Sequence, residues 1–201
     1  MAGPAPLSGL VLSGGYSQRM QRDKAALVVD GQTQLARAVH LLQSVCADVF
    51  ISVRADQQND PTRAGYAQIV DQLQDIGPAA GILAALGART DHAWLVVAVD
   101  MPLLDANTLT ALIAARDPTT LATAYRSHHD GLPEPLCAIW EPASSNLLDT
   151  FLRGGRNCPR KFLISHPVRL IDLAAPDALA NVNTPEEYAS TVASARRGAF
   201  A

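Results

Sequence analysis

The apolar stretch at residues 93–99 limits the fold of this 201-residue chain more than any other feature. Its residues carry no polar side chain and show no alternation, which is typical of a strand that is covered on both faces. Strands of this kind occur in parallel sheets, because the helices that connect parallel strands lie on both sides of the sheet. The stretch is far too short to span a bilayer, so we expect it at the centre of a soluble core.

Other short apolar segments alternate with segments of helical composition. In the first part of the chain, strands are predicted at residues 9–12, 49–53 and 68–70, and helices at about 33–46, 78–86 and 105–115. After Asp117 the pattern loosens, with strands predicted at residues 119–125, 136–140 and 168–172, and helices at 145–152 and after Thr184. Strands that are separated by helices form βαβ units. The sequence therefore predicts an α/β protein of the Rossmann-like, doubly wound type: a mostly parallel sheet with helices on both faces and a small added antiparallel element.

Composition excludes several classes of protein. Hydrophobic residues make up 48% of the chain and charged residues 17%, which is enough apolar surface for a packed core. The net charge of -3 argues against a generic binder of nucleic acids or anionic membranes. The three cysteines are too few and too scattered for a disulfide framework or a CxxC zinc site, and residues 1–8 do not read as a signal peptide. We therefore expect a single domain, residues 1–201, in the cytoplasm.

The segment that follows the first predicted strand, residues 13–24, combines adjacent glycines with basic side chains. Gly14 and Gly15 allow backbone N–H groups to approach an anion closely. Three cationic side chains concentrate positive charge in the same segment: Arg19, Arg22 and Lys24. The spacing fits neither the GxGxxG pattern of dinucleotide binders nor the GxxxxGK[ST] phosphate loop. A glycine turn with a solvated basic face is the alternative, but the basic cluster directly after a strand favours binding of a nucleotide triphosphate.

Two aspartates follow other predicted strands, at the edge where an open parallel sheet binds its ligands. Asp100 comes directly after the stretch 93–99, and a carboxylate there can hold Mg²⁺ while leaving positions for phosphate and water. A turn aspartate is the alternative, and the nearby phosphate-binding segment favours the metal. Asp71 follows residues 68–70 and can accept hydrogen bonds from a base such as guanine. On its own, however, the segment 77–81 that comes next is better interpreted as an ordinary loop before a proline-started helix.

Four motifs carry a resemblance to a known family. They are, in chain order, the LSGG-x3-RM-x2-DK segment at residues 12–24, GPAAG at 77–81, VDMP at 99–102 and NVNTPEE at 181–187. In this order and at these separations, the motifs resemble those of the molybdenum cofactor guanylyltransferases over nearly the whole chain. Any one motif is weak, because many nucleotidyltransferases share a first loop of this kind, whereas the four in order are specific.

The resemblance implies a reaction and its reactants. The chain would transfer GMP from GTP to the terminal phosphate of molybdenum-molybdopterin, forming molybdopterin guanine dinucleotide and releasing pyrophosphate. The implied cofactor is Mg²⁺. The implied partners are the two substrates and a molybdoenzyme or chaperone that receives the product, without nucleic acid or membrane. The domain would then have a nucleotide-binding half at about residues 1–117 and a pterin-binding half at about 118–201.

The resemblance also implies roles for residues of this sequence. Nucleotide contacts are implied for Leu12, Ser13, Gly14, Gly15, Lys24, Arg54, Asp71, Gly77 and Asp100. Asp100 would also hold the metal and, with Lys24 and Arg19, form the catalytic group that neutralises the phosphates and stabilises the departing pyrophosphate. Asn181 and Asn183 would lie near the pterin phosphate or the metal.

This sequence departs from the family pattern at a few positions. Gln21 stands where relatives usually have glycine, so either its own conformation or the course of the loop must differ. Ser13 replaces the more usual alanine, which is a small change, and Arg54 stands where relatives often carry asparagine. These departures bear on the fine geometry of phosphate binding rather than on the class of enzyme.

Two other functions remain open. A molybdopterin cytidylyltransferase would keep the fold and use CTP, but such relatives tend to read LAAG in the first loop and lack the glycine that opens the segment 77–81. Gly14 and Gly77 therefore resemble the GTP-dependent enzymes. A carrier module that binds nucleotide or cofactor without catalysis would be expected to have a damaged triphosphate or metal site. Lys24 and Asp100 are both present, which favours an enzyme.

Overall fold

The computed structural model describes residues 3–14, 23–29, 31–71, 73 and 76–181. Within these residues the strands are β1 (Leu7–Leu12), β2 (Val28–Val29), β3 (Gln32–Thr33), β4 (Val49–Arg54), β5 (Gln68–Asp71), β6 (Ala93–Ala98), β7 (Ala122–Arg126), β8 (Pro133–Trp140) and β9 (Arg169–Ile171). The α-helices are α1 (Gln34–Gln43), α2 (Pro78–Ala88), α3 (Ala106–Ala114), α4 (Ser144–Arg153) and α5 (Pro159–Ile164). Short 3-10 turns occupy Lys24–Ala26 and Ala55–Gln57.

Seven of these strands form one sheet in the order β5-β4-β1-β6-β8-β7-β9. Strands β5, β4, β1 and β6 are mutually parallel, while β8 runs antiparallel to both β6 and β7, and β9 pairs in parallel with β7. A separate antiparallel pair joins β2 and β3. The mostly parallel sheet with an added antiparallel element is therefore confirmed. The chain order reverses around β1, and ligands bind such sheets beyond the carboxyl ends of the strands near the reversal.

Helices cover both faces of the sheet, and the central strand β6 shows why its sequence is uniformly apolar. All six of its residues are buried. Leu95 and Val97 pack into a core cluster with apolar side chains of α1 and α3. Trp94 and Val96 pack into a second cluster on the opposite face, with side chains of α2, α4 and α5. Because successive strand residues point to opposite faces, a strand between two helical layers needs apolar residues at every position.

Helix α2 lies unusually close to the sheet at its first turns. A Cβ atom at Gly81 would overlap the Ser52 hydroxyl of β4 and would lie 3.0 Å from Leu12 Cδ2 of β1. The helix begins after Gly77, whose positive φ of 74° suits glycine, and Pro78 occupies its first turn. These residues bring the amino-terminal end of α2 against the carboxyl ends of β1 and β4.

The structure corrects several predicted boundaries and adds elements that the sequence pattern did not reveal. Strand β7 begins at Ala122 rather than 119, because the Asp117 carboxylate accepts hydrogen bonds from the Thr119 amide and hydroxyl and forms a turn there. Helix α5 and the β2–β3 pair were not predicted, since they are too short for a periodic pattern. The predicted helix after Thr184 lies outside the described residues.

Two expectations about the environment of the chain can also be compared with the structure. The three cysteines, Cys46, Cys137 and Cys158, are free thiols. Burial raises the pKa of Cys46 to about 11 and, with a contribution from Glu134, that of Cys137 to about 12. In the part of the chain that the structure describes, no helix is long and apolar enough to cross a membrane.

Candidate active site

Most of the predicted nucleotide-binding residues that the structure describes meet at the carboxyl edge of the parallel strands. In the sheet register, Leu12 of β1 lies between Ser52 of β4 and Ala98 of β6. Two residues beyond these three partners, the strands lead to Gly14, Arg54 and Asp100, respectively. Arg54 also pairs with Asp71 of β5. Segments as far apart in sequence as Gly14 and Asp100, which are separated by 86 residues, thus converge because parallel strands end on the same side.

Lys24 and Asp100 form the central ion pair of this edge. The Lys24 ammonium donates to Asp100 Oδ2 at 2.8 Å. The two side chains are 21% and 20% exposed, respectively, so both charges remain within reach of a bound molecule. The structure therefore brings together the side chains that the sequence assigned to the triphosphate and to the metal.

The first residues after β1 are held by contacts to β4. Ser13 is buried, and its hydroxyl donates to the Ser52 carbonyl at 2.8 Å. The Gly14 carbonyl accepts from Arg54 Nη1 at 2.7 Å, and the same guanidinium binds the Asp56 carboxylate. Arg54, which was predicted to contact nucleotide, thus contacts the start of the glycine-rich segment. A nucleotide contact of its own remains a prediction.

Asp71 and Gly77 line the part of the edge beyond β5. Asp71 ends that strand, is partly buried, and accepts a hydrogen bond from the Leu73 amide at 2.9 Å. Burial raises the pKa of its carboxyl, although the Leu73 bond and the positive charge of Arg54 act in the opposite direction. Gly77 is exposed, and among the described residues no atom lies within 4 Å of the position that a Cβ there would occupy. An ionised carboxylate only accepts hydrogen bonds, so Asp71 can bind N–H donors of a ligand at this edge.

Sequence reasoning missed Arg63, the most buried charged group near this edge. Its side chain is fully buried, and Nη2 donates to the Ser13 carbonyl at 2.7 Å and to Asp23 Oδ1 at 2.9 Å. Nη1 binds the second oxygen of the same carboxylate and lies 3.4 Å from Asp60. Burial would raise the pKa of Asp23, but the hydrogen bond and charge of Arg63 outweigh it and lower that pKa. No motif contains Arg63, so the sequence offered no signal for it.

A second arginine, Arg37 of α1, supports the segment that follows β6. Its Nη1 donates to the Met101 carbonyl at 3.1 Å and its Nη2 donates to the Leu104 carbonyl at 3.0 Å. Met101 is buried, so the backbone after Asp100 is anchored from both its side chain and its carbonyl. These two hydrogen bonds help to hold the backbone next to Asp100 in place. The sequence pattern did not predict this role of Arg37.

Some predicted site residues lie outside this geometry. Gly15, Arg19, Gln21 and Asn183 lie outside the described residues. Asn181 is described and exposed, and its assignment to the pterin remains a prediction. Among the described residues, no group of three or more His, Cys, Asp or Glu side chains could hold a metal ion.

A mostly parallel sheet of this strand order with an added antiparallel element is the fold of the nucleotidyltransferases, and the chain is a nucleotidyltransferase. The chain belongs to the family of MobA-like NTP transferase domains, which matches residues 9–191. The family that the four motifs indicated is thereby confirmed.

Similar proteins of known family are also named for molybdenum cofactor biosynthesis. The chain is 36% identical over 186 residues to a molybdenum cofactor biosynthesis bifunctional protein of Synechocystis, covering 91% of this chain and 53% of that protein. It therefore spans about half the length of that relative. It is 34% identical over 195 residues to a probable molybdenum cofactor guanylyltransferase of Opitutus terrae, covering 92% of this chain and 95% of the relative.

Solved structures support the fold. Molybdopterin-guanine dinucleotide biosynthesis protein A of Archaeoglobus fulgidus superposes with a TM-score of 0.78 at 20% identity, covering 94% of this chain and 99% of that one. Rv0371C of Mycobacterium tuberculosis, solved in complex with manganese, superposes with a TM-score of 0.63 at 18% identity, covering 94% and 99%. At these identities, the likeness establishes the shared architecture.

Proposed function

We propose that this chain transfers GMP from GTP to the terminal phosphate of molybdenum-molybdopterin, with molybdopterin guanine dinucleotide and pyrophosphate as products. The observation that carries the proposal is the partly exposed Lys24–Asp100 pair at the carboxyl edge of the sheet. In a chain of this family, with relatives named molybdenum cofactor guanylyltransferases, that pair supplies one cation for phosphates and one carboxylate for a metal.

Asp100 fits a magnesium ion by the chemistry of its donor atoms. Mg²⁺ prefers oxygen ligands and usually binds to one or two carboxylates, with phosphate oxygens and waters completing its shell. Asp100 is a partly exposed carboxylate at the predicted phosphate site, and the manganese in a structural neighbour is a cation with the same preference for oxygen. Bound Mg²⁺ would neutralise negative charge on the α-phosphate.

The protein side chains contribute charge and position rather than a base. The attacking phosphate is already an anion, so no group must remove a proton from it. Lys24, and Arg19 in the neighbouring segment, would stabilise the charge that develops on the leaving pyrophosphate. Anchoring of Ser13 and Gly14 by β4 would hold the backbone that faces the phosphates.

Selection of guanine is assigned to Asp71 and to the space beside Gly77. Guanine presents two N–H donors on one edge, and a carboxylate accepts from such donors. Asp71 is partly buried at the end of β5, and no described atom lies within 4 Å of the position that a Cβ at Gly77 would occupy, which supports assigning the base to this part of the edge. Asn181 and Asn183 are assigned to the pterin phosphate, within a pterin-binding half at about residues 118–201. We further propose that the reaction takes place in the cytoplasm and that a molybdoenzyme or chaperone receives the product.

The test is Mg²⁺-dependent release of pyrophosphate by purified protein and molybdenum-loaded molybdopterin, with GTP and CTP in parallel. Release with GTP alone is the expected result. Release with CTP alone would keep the metal site and overturn the assignment of the base. Binding of nucleotide without release from either would contradict the enzymatic proposal and favour a carrier module.

A further inference from the structure

Arg63 contacts both described ends of the glycine-rich segment. It binds the Ser13 carbonyl, just after β1, and the carboxylate of Asp23, just before the 3-10 turn Lys24–Ala26. Burying a guanidinium is costly, and a buried ion pair often contributes no more stability than an apolar pair of the same size. Arg63 Nε moreover has no hydrogen-bond partner among the described residues. A role in geometry explains this arrangement better than a role in stability.

The contact with Asp23 continues to the centre of the site. Asp23 Oδ1 also accepts from the Ala25 amide at 3.0 Å, so the same carboxylate caps the short turn that carries Lys24. The Lys24 ammonium then reaches Asp100. A continuous chain of contacts therefore runs from the buried guanidinium to the cation and the carboxylate that the proposed reaction uses.

The contact with Ser13 sets the direction of a backbone donor. In a trans peptide, the carbonyl of one residue and the N–H of the next point in opposite directions, and the described residues contain no cis peptide bond. Because the Ser13 carbonyl points at Arg63, the Gly14 N–H points away from it. Arg63 thus turns an N–H donor away from the core, as an anion-binding backbone requires.

We propose that Arg63 is a positioning residue, which fixes Ser13 and Asp23 relative to each other and thereby orients the Gly14 N–H and Lys24 toward a bound triphosphate. The inference rests on the proposed function only in that this edge of the sheet binds a nucleoside triphosphate. It does not require that guanine be the base or that molybdopterin be the acceptor.

The test measures the Kd of GTP with Mg²⁺ by calorimetry, and KM and kcat separately, for Arg63→Met, Arg63→Lys, Asp23→Asn and the double variant Asp23→Asn/Arg63→Met. Losing hydrogen bonds to a charged group should raise Kd and KM about 10- to 100-fold. Lysine should recover part of this loss, because it keeps the charge but cannot span both partners. The double variant should bind about as weakly as Arg63→Met, since both changes break one contact. If Arg63→Met does not fold, Asp23→Asn, whose side chain is 32% exposed, carries the test.

Arg116 is a matched control. It also binds a carboxylate with two bonds, that of Glu141, and a backbone carbonyl, that of Ala5, but at the opposite edge of the sheet. Arg116→Lys should lower the melting temperature and leave the Kd of GTP unchanged. The inference would be overturned if Arg63→Met or Asp23→Asn folds and binds GTP with the wild-type Kd. It would also be overturned if Arg116→Lys raises the Kd of GTP as much as Arg63→Lys does. Wild-type protein that binds GTP without turnover contradicts the proposed reaction alone, whereas wild-type protein that binds no triphosphate overturns both.

Discussion

The two edges of the central sheet contain the same arrangement of charged groups in different surroundings. At the carboxyl edge, Arg63 binds Asp23 and the carbonyl of Ser13. At the amino edge, Arg116 binds Glu141 and the carbonyl of Ala5 with Nε–Oε1 and Nη2–Oε2 distances of 2.7 and 2.8 Å. Each arginine therefore ties a strand end to a carboxylate from elsewhere in the chain.

The carboxylates differ in their access to solvent. The Glu141 side chain is 2% exposed, whereas Asp23 is 32% exposed and neighbouring Asp100 is 20% exposed. A carboxylate that is closed on all sides contributes only to the fold, and one that is open on one side remains available to cations and ligands. An arginine–carboxylate pair is thus structural at the amino edge, whereas a similar pair at the carboxyl edge can support ligand binding.

The largest effect is expected at the amino edge, which we call the closed edge because Glu141 is buried there. Arg116→Met leaves Glu141 buried without its partner, which should lower the free energy of unfolding by about 3–5 kcal/mol. The KM for GTP should not change, because the edge is remote from Lys24 and Asp100. Urea denaturation and steady-state kinetics below the melting temperature measure the two quantities. A change in KM without a loss of stability would break the contrast between the edges.

The carboxyl edge, which we call the open edge because Asp23 and Asp100 are partly exposed there, should show the reverse pattern: a large loss of activity with little loss of stability. Asp100→Asn removes the charge that pairs with Lys24 and should lower kcat about 10²- to 10³-fold. Because the pair is partly exposed, the free energy of unfolding should change by only about 1 kcal/mol or less. Asp105→Asn is the matched control, since Asp105 caps α3 through the Thr108 amide and asparagine caps helices equally well. Equal activity of Asp100→Asn and wild type would contradict the assignment.

The sequence predicted the open edge better than the closed one. Loops after parallel strands meet by topology, so glycines, Lys24 and Asp100 in those loops could be grouped without coordinates. Arg63 and Arg116 could not, because their carboxylate partners lie 40 and 25 residues away and a lone arginine carries no periodic signal. Whether a charged side chain is buried depends on packing between distant segments, which patterns of neighbouring residues do not encode.

The same limit applies to elements of the fold. Strands β1 and β4 to β9 and helices α1 to α4 were predicted, with boundaries a few residues in error, because short apolar runs and helical spacing mark them in the sequence. Helix α5 has six residues and was not predicted. Its Phe162 lies against Trp140 of β8, with ring centroids 5.7 Å apart, so tertiary packing rather than local pattern accounts for its position.

Substituting two glycines of α2 by alanine distinguishes the effect of a tight contact from the effect of helix propensity. Gly81 packs closely against the sheet, whereas Gly87 does not. In Gly81→Ala the new methyl group would overlap the Ser52 hydroxyl, which should destabilise the fold by about 1–3 kcal/mol. Gly87→Ala lies in the same helix, where a Cβ would have no described atom within 4 Å, and should instead stabilise the fold by about 0.5–1 kcal/mol. Adding Ser52→Ala to Gly81→Ala should restore part of the loss. Thermal and urea unfolding of the three variants test this, and equal effects of both glycine substitutions would contradict it.

The smallest expected effect concerns Asp71, where binding and stability should oppose each other. Burial raises the pKa of its carboxyl in the folded chain, so ionisation costs more in the folded than in the unfolded state. Its contribution to stability is therefore complete below the unfolded pKa of 3.8 and falls as pH rises through the folded pKa. Asp71→Asn keeps an acceptor for the Leu73 amide and should leave the unfolding free energy at pH 7 equal or higher by about 0.5 kcal/mol at most.

Any such gain should disappear at pH 3, where the wild-type carboxyl is protonated in both states. Discrimination between GTP and CTP should weaken in Asp71→Asn at pH 7, because asparagine cannot accept two N–H bonds with both side-chain atoms. Urea unfolding at both pH values and the ratio of kcat/KM for the two nucleotides measure these effects. A loss of stability at pH 7 with unchanged discrimination would assign Asp71 to the fold, and the open edge would then select its base by other groups.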